Sequence, residues 1–94
     1  MADSFAGVVL AGHKQAAVEV PFDPAQRWGV PAAPIFLGRR GHAVEASVGG
    51  ESFRSYVVPR SKRFWLILEE AQMKALNVKV GDRIRVSLEP WCGP

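Results

Sequence analysis

The sequence is poor in the groups that most enzyme and metal chemistry needs. Its one cysteine, Cys92, leaves no partner for a disulfide within the chain and excludes a cysteine-based zinc cage. An exposed cysteine in a tail accounts for it more simply than a reactive thiol does. Its two histidines, His13 and His42, stand apart, with no second ligand at metal-binding spacing and no nucleophile beside either. No glycine-rich phosphate loop is present. No apolar run reaches the roughly 18 residues of a membrane helix, and Met1-Ala2-Asp3-Ser4 lacks the basic start and apolar core of a secretory signal. These absences predict one soluble cytoplasmic domain over residues 1–94, with no metal, no cofactor and no membrane partner.

Charge is present but unevenly spread. The net charge is +3, and residues 1–48 carry four basic and four acidic side chains, whereas 49–94 carry eight and five. All of the excess lies in the second half. Arg54, Arg60, Lys62 and Arg63 follow one another with no acidic residue between Ser52 and Leu68. Such a cluster suits phosphate or another anion, and the plain alternative is a solvated face beside a turn.

Apolar periodicity predicts a mostly β domain. Phe5–Leu10 and Ala16–Val20 read as strands, with Val18 and Val20 on one face and Glu19 on the other. Asp23 is placed to cap a short helix from Pro24 to about Trp28, with Gln26 completing a capping box. Capping is favoured over a catalytic role because no second carboxylate lies near Asp23 in sequence. Residues 29–41, with Pro31 and Pro34, read as an irregular connection in which Ile35-Phe36-Leu37 forms at most an edge strand and Arg39-Arg40 an exposed tip.

Val44, Ala46 and Val48 alternate with Glu45 and Ser47, Gly49-Gly50 makes a tight hairpin turn, and Glu51–Val58 returns until Pro59 stops it. Phe64–Leu68 is apolar on both faces, as expected of a central, covered strand. Glu69-Glu70 open a second helix in which Met73 and Leu76 share a face and Glu70 can pair with Lys74. Asn77 ends that helix, Gly81-Asp82 turns the chain, and Arg83–Leu88 is a last strand with Ile84, Val86 and Leu88 inward. Residues 90–94 read as a tail, with Trp91 able to pack back.

Self-similarity adds an architecture. Ser4-Phe5, Val9 and Lys14 match Ser52-Phe53, Val57 and Lys62 at a constant spacing of 48. Two ββαβ halves, about 4–48 and 52–89, are expected to close one small barrel with a capping helix at either end.

The chain from Phe5 to Glu89 resembles the bacterial domain of unknown function DUF1905. The likeness rests on Val20-Pro21-Phe22-Asp23, on Trp28-Gly29, on Gly49–Ser55 and on Val80–Val86. It implies a double-split β-barrel, the architecture of AbrB/MazE-type transcription factors, and Tyr56–Leu88 resembles one such half. The chain departs from the pattern at Leu68-Glu69-Glu70-Ala71-Gln72, which lacks the proline and arginine common at that helix start. Lys74 is the only basic residue of that helix, residues 30–41 look longer than the pattern, and no YdeI-like second domain follows within these residues.

Three functions are weighed. First is a non-catalytic binding module for a small ligand or a protein partner. Second is nucleic-acid binding through Arg54, Arg60, Lys62 and Arg63, aided by Arg39 and Arg40 if the fold brings them near. Third is an enzyme in which Asp23, His42, Glu45 and Ser61 converge in space. A monomer is favoured, since both halves lie on one chain.

Overall fold

The computed structural model describes residues 3–12, 15–36 and 38–91. The expectations for His13, Lys14 and Cys92 therefore lie outside the described residues. The elements run β1 (Asp3–Val8), β2 (Leu10–Ala11), β3 (Ala16–Val20), α1 (Pro24–Trp28), β4 (Ala33–Phe36), β5 (Arg39–Val48), β6 (Glu51–Arg60), β7 (Arg63–Leu68), α2 (Glu70–Leu76) and β8 (Arg83–Pro90). Strands make up 59% of the described residues and helices 14%, so the domain is mostly β.

One antiparallel sheet in the order β1-β8-β5-β6-β7-β3-β2 curls into a half-barrel, and β4 joins it only through β5. Chain reversal between neighbours is made by tight turns. Gly49 and Gly50, at φ 58° and 88°, connect β5 to β6, and Ser61 and Lys62, at φ 53° and 64°, connect β6 to β7. The glycines take this left-handed backbone without a Cβ penalty, whereas Ser61 and Lys62 do not.

The first strand does an unusual thing at the open side of the sheet. Asp3–Val8 pairs with β8, Val9 exchanges backbone hydrogen bonds with Asp82 and Gly81, and Leu10-Ala11 then pairs with β3. One stretch of chain thus touches both edges. Gly7 permits it, because a Cβ there would sit 2.7 Å from Val18 Cγ1 across the seam.

Alternation along the strands sorts the side chains as the sequence indicates. Val18, Val44, Val57, Leu66, Leu68, Val86 and Leu88 are fully buried inside the curl. Burying each such side chain stabilises the fold by about 1.5–3 kcal/mol. The helices close opposite ends. α1 follows the end of β3 where Val20 faces Phe64, and α2 follows the end of β7 where Leu68 faces Ala16. Met73, Leu76 and Val78 pack on the core from one end, and Phe22 and Trp28 from the other. No helix among the described residues is long and apolar enough to cross a membrane.

Local expectations fare unevenly. Asp23 caps α1 by accepting from Ala25 N at 2.9 Å, and Gly29 ends the helix at φ 68°. Gln26 is exposed and takes no part. The reciprocal side-chain bond occurs instead at α2, where Gln72 Oε1 accepts from Glu69 N at 2.9 Å and Asn77 ends the helix at φ 56°. Pro59 does not stop β6, which runs on to Arg60. In the antiparallel alternation its nitrogen faces the side where the β5 ladder has already ended at His42 and Val57, so no donor is missed. Residues 39–41, expected in a loop, begin β5 because β4 supplies a partner strand for them. Trp91 packs back, with its backbone N–H donating to Ala43 O at 3.0 Å and Arg54 over its ring.

Candidate functional site

The register of β6 and β7 decides where the positive charge goes. Arg60 and Arg63 face each other across the Ser61-Lys62 turn, so three cations share one hairpin tip. Like charges directly opposite in a ladder are destabilising. Arg63 is relieved in part by Glu19 on β3, at 3.2 Å, but both side chains are well exposed and such a pair contributes little. Arg60 and Lys62 have no carboxylate partner among the described residues.

The start of β5 lies at the same end of the sheet. His42 pairs with Val57, and three residues before the one and after the other stand Arg39 and Arg60. Arg39 and Arg40 are exposed in the β4–β5 hairpin, with Arg40 Nη2 donating to Ala32 O at 3.0 Å. Two basic hairpins therefore share the α1 end of the half-barrel.

Arg54 is not with them. It lies near the start of β6, toward the α2 end, with its guanidinium 4.3 Å from the centre of the Trp91 ring and Gln72 bonded to its carbonyl at 2.9 Å. Its cross-strand neighbour is Glu45, which also faces Glu89. Sequence proximity grouped Arg54 with the tip, and six residues of extended strand separate it from Arg60.

The outward face between these points carries aromatic and aliphatic groups, of which Val58 is buried, near Gly41 and Ile35, and Tyr56, Trp65 and Ile67 are partly exposed. Tyr56 and Val58 on β6 neighbour Ile67 and Trp65 on β7, and Val58 is directly opposite Trp65. Trp65 and Ile67 are half-buried, so the strand read as covered on both faces is covered fully on one. Trp65 Nε1 donates to Arg60 O at 3.3 Å, which ties the indole to the base of the hairpin. The sequence signal for this face was the unbroken apolar run Phe64–Leu68, whose second face is only partly covered here.

At the same end, inside the barrel, Phe5, Phe22, Trp28 and His42 form a chain of edge-to-face contacts with ring centres 5.6–6.3 Å apart. Arg27 Nε and Nη2 donate to Asp3 Oδ1 at 3.0 and 2.7 Å, and Trp28 Nε1 donates to Oδ2 at 2.7 Å. Those bonds, Arg27 first and Trp28 second, hold the Asp3 carboxyl below the usual carboxylate range. His42 is buried, with Nε2 2.6 Å from Val30 O.

Asp23, His42, Glu45 and Ser61 do not converge. Asp23 caps α1, His42 points inward, Glu45 outward, and Ser61 sits on the hairpin tip. Two open clefts, of about 190 and 380 Å³, flank α2 far from the basic end. The first is lined by Phe53, Ala71 and Leu76 among others, the second by Met73, Lys74 and Val78. No group of three or more potential metal ligands occurs among the described residues.

A small curled antiparallel sheet with a short helix at either end and a basic hairpin makes a compact, mostly β domain. The chain belongs to the DUF1905 family, described as a domain of unknown function, whose model matches residues 5–88. No curated protein matches the sequence.

Proposed function

We propose that this domain is a non-catalytic binding module that holds a nucleic acid at the basic hairpin end. One observation carries the reading: the same molecule builds the same two-residue turn twice. At β5–β6 it uses Gly-Gly, the residues the backbone asks for, and at β6–β7 it uses Ser-Lys at nearly the same φ. A left-handed conformation costs an ordinary residue about 1–2 kcal/mol. Retaining Lys62 there, between two arginines already opposed, favours a charged tip over an easy one. Arg39 and Arg40 extend the positive surface. A small ligand is the weaker reading, since the clefts beside α2 are open and carry few convergent polar groups.

The finer architecture we propose is the double-split barrel of AbrB-like proteins, made from two ββαβ halves in a cytoplasmic monomer. Support comes from an exchange of ladders, in which β1 of the first half pairs with β8 of the second and β6 of the second pairs with β5 of the first. The third strands of the halves, β5 and β8, pair with each other, as do the second strands, β3 and β7.

The test is a salt series of binding to short DNA, comparing the intact chain with the combined Arg60→Ala, Lys62→Ala, Arg63→Ala variant. Three phosphate contacts predict a slope of log affinity against log salt between about −2 and −3, removed in the variant. Absence of binding at low salt defeats the reading.

A further inference from the structure

We infer that the outward face of β6 and β7 is a stacking platform, and that the nucleic acid it takes is single-stranded. The inference rests on the basic-end reading and adds the bases to it. Trp65 stands at the base of the Arg60–Arg63 hairpin on the outward face, and its only polar atom is committed to Arg60 O at 3.3 Å. The indole is thereby held in place at the base of the basic hairpin and stays partly exposed, with Glu19 as its neighbour on β3. Tyr56 lies diagonally across on β6, because Tyr56 is two residues before Val58, which faces Trp65. Diagonal neighbours in an antiparallel pair are about 7–8 Å apart, a span that a single strand with unstacked bases can bridge.

What surrounds the two rings sets the path of the strand. On one side lie Arg60 and Lys62, which suit phosphates, with Arg63 paired to Glu19, the residue directly opposite Trp65 on β3. On the other lies the row of Glu45 and Glu89, which repels them, and beyond it the Trp91 ring is already occupied by Arg54 at 4.3 Å. The polyanion therefore enters over the basic tip and ends against the acidic row, with bases on Trp65 and Tyr56 in between. Paired bases in a duplex present only their edges, so the rings contribute nothing there.

Fluorescence anisotropy with a thymidine oligomer of about 12 nucleotides, a duplex of equal length and inorganic polyphosphate tests this, using Trp65→Leu and Tyr56→Leu. Leucine preserves the apolar cover, and circular dichroism verifies that each variant folds. The oligomer should bind more tightly than the duplex or polyphosphate, and each variant should weaken it roughly ten-fold while leaving the other two unchanged. Equal binding of all three, with both leucine variants unaffected, overturns the platform and leaves the basic end standing. Loss in the leucine variants but not in Arg60→Ala, Lys62→Ala, Arg63→Ala leaves the platform and overturns the basic end. No binding to any of the three overturns both.

Discussion

Replacing Ser61-Lys62 by Asn-Gly should stabilise the domain and weaken its binding at once. Both residues sit at positive φ, 53° and 64°. Releasing them removes about 1–2 kcal/mol of backbone cost at each site. Asparagine recovers only part of this, and glycine gives back about 0.5–1 kcal/mol through the greater freedom of the unfolded chain. The pair should therefore gain about 1–2 kcal/mol net, which for a domain of this size raises Tm by about 5–10 °C. Thermal and urea unfolding followed by circular dichroism measure the gain. Ser61→Asn alone keeps Lys62 and should raise Tm with affinity for the thymidine oligomer unchanged. Gly50→Ala in the opposite hairpin, at φ 88°, should lower stability by about 1 kcal/mol or more. An Asn-Gly variant no more stable than the parent refutes the argument from strain, and one that binds as tightly refutes the role given to Lys62.

Leu66→Ala, at a fully buried position, should cost about 2–5 kcal/mol, read from the urea midpoint at constant m. Gly41→Ala should destabilise the β4–β5 region, since a Cβ there would lie 2.5 Å from Val57 O and 3.1 Å from Ile35 Cδ1; an unchanged Tm would contradict that packing. Asp3→Asn should lower Tm at neutral pH. Because the folded carboxyl titrates below its usual range, near about 4, the stability it supplies is present above that value and fades as pH falls through the lower folded one. The Tm difference between parent and variant should hold at neutral pH and narrow as pH falls below the usual carboxylate range, and a difference that stays constant through acid titration would refute the bonding described.

Much of this fold is legible because its strands alternate. Val44, Ala46 and Val48, and again Ile84, Val86 and Leu88, announce a buried face by period alone, and Asp23-Pro24 announces a helix start. Pro59 misled because a proline stops a strand only where its missing N–H is needed, and that depends on a neighbour, β5, which the local sequence does not reveal. Arg39-Arg40 were hidden in the same way, as β4 makes them a strand. The basic tip was visible as Arg60, Lys62 and Arg63 in a row. Arg54 looked like part of it because nearness in sequence does not convert to nearness in space along an extended strand. Trp65 was visible within an apolar run, and the partial exposure of its second face is a tertiary fact that the run does not reveal.

The edge-hopping of the first strand also bears on the order in which the molecule assembles. Asp3 pairs with Leu88, so the β1–β8 ladder joins residues almost a chain length apart, while the β5–β6 and β6–β7 hairpins join immediate neighbours. Ladders of such unequal sequence separation do not form together, because distant pairing must first pay for closing the loop between. Amides of β6 should gain protection early in pulsed hydrogen exchange and those of β1 late; simultaneous protection would argue for concerted closure. Until residues 3–11 arrive, β3 and β8 each expose a free edge, and the same segment of another copy has the right hydrogen bonds to fill them. The last piece of the sheet to be placed is thus also the piece that two molecules can exchange.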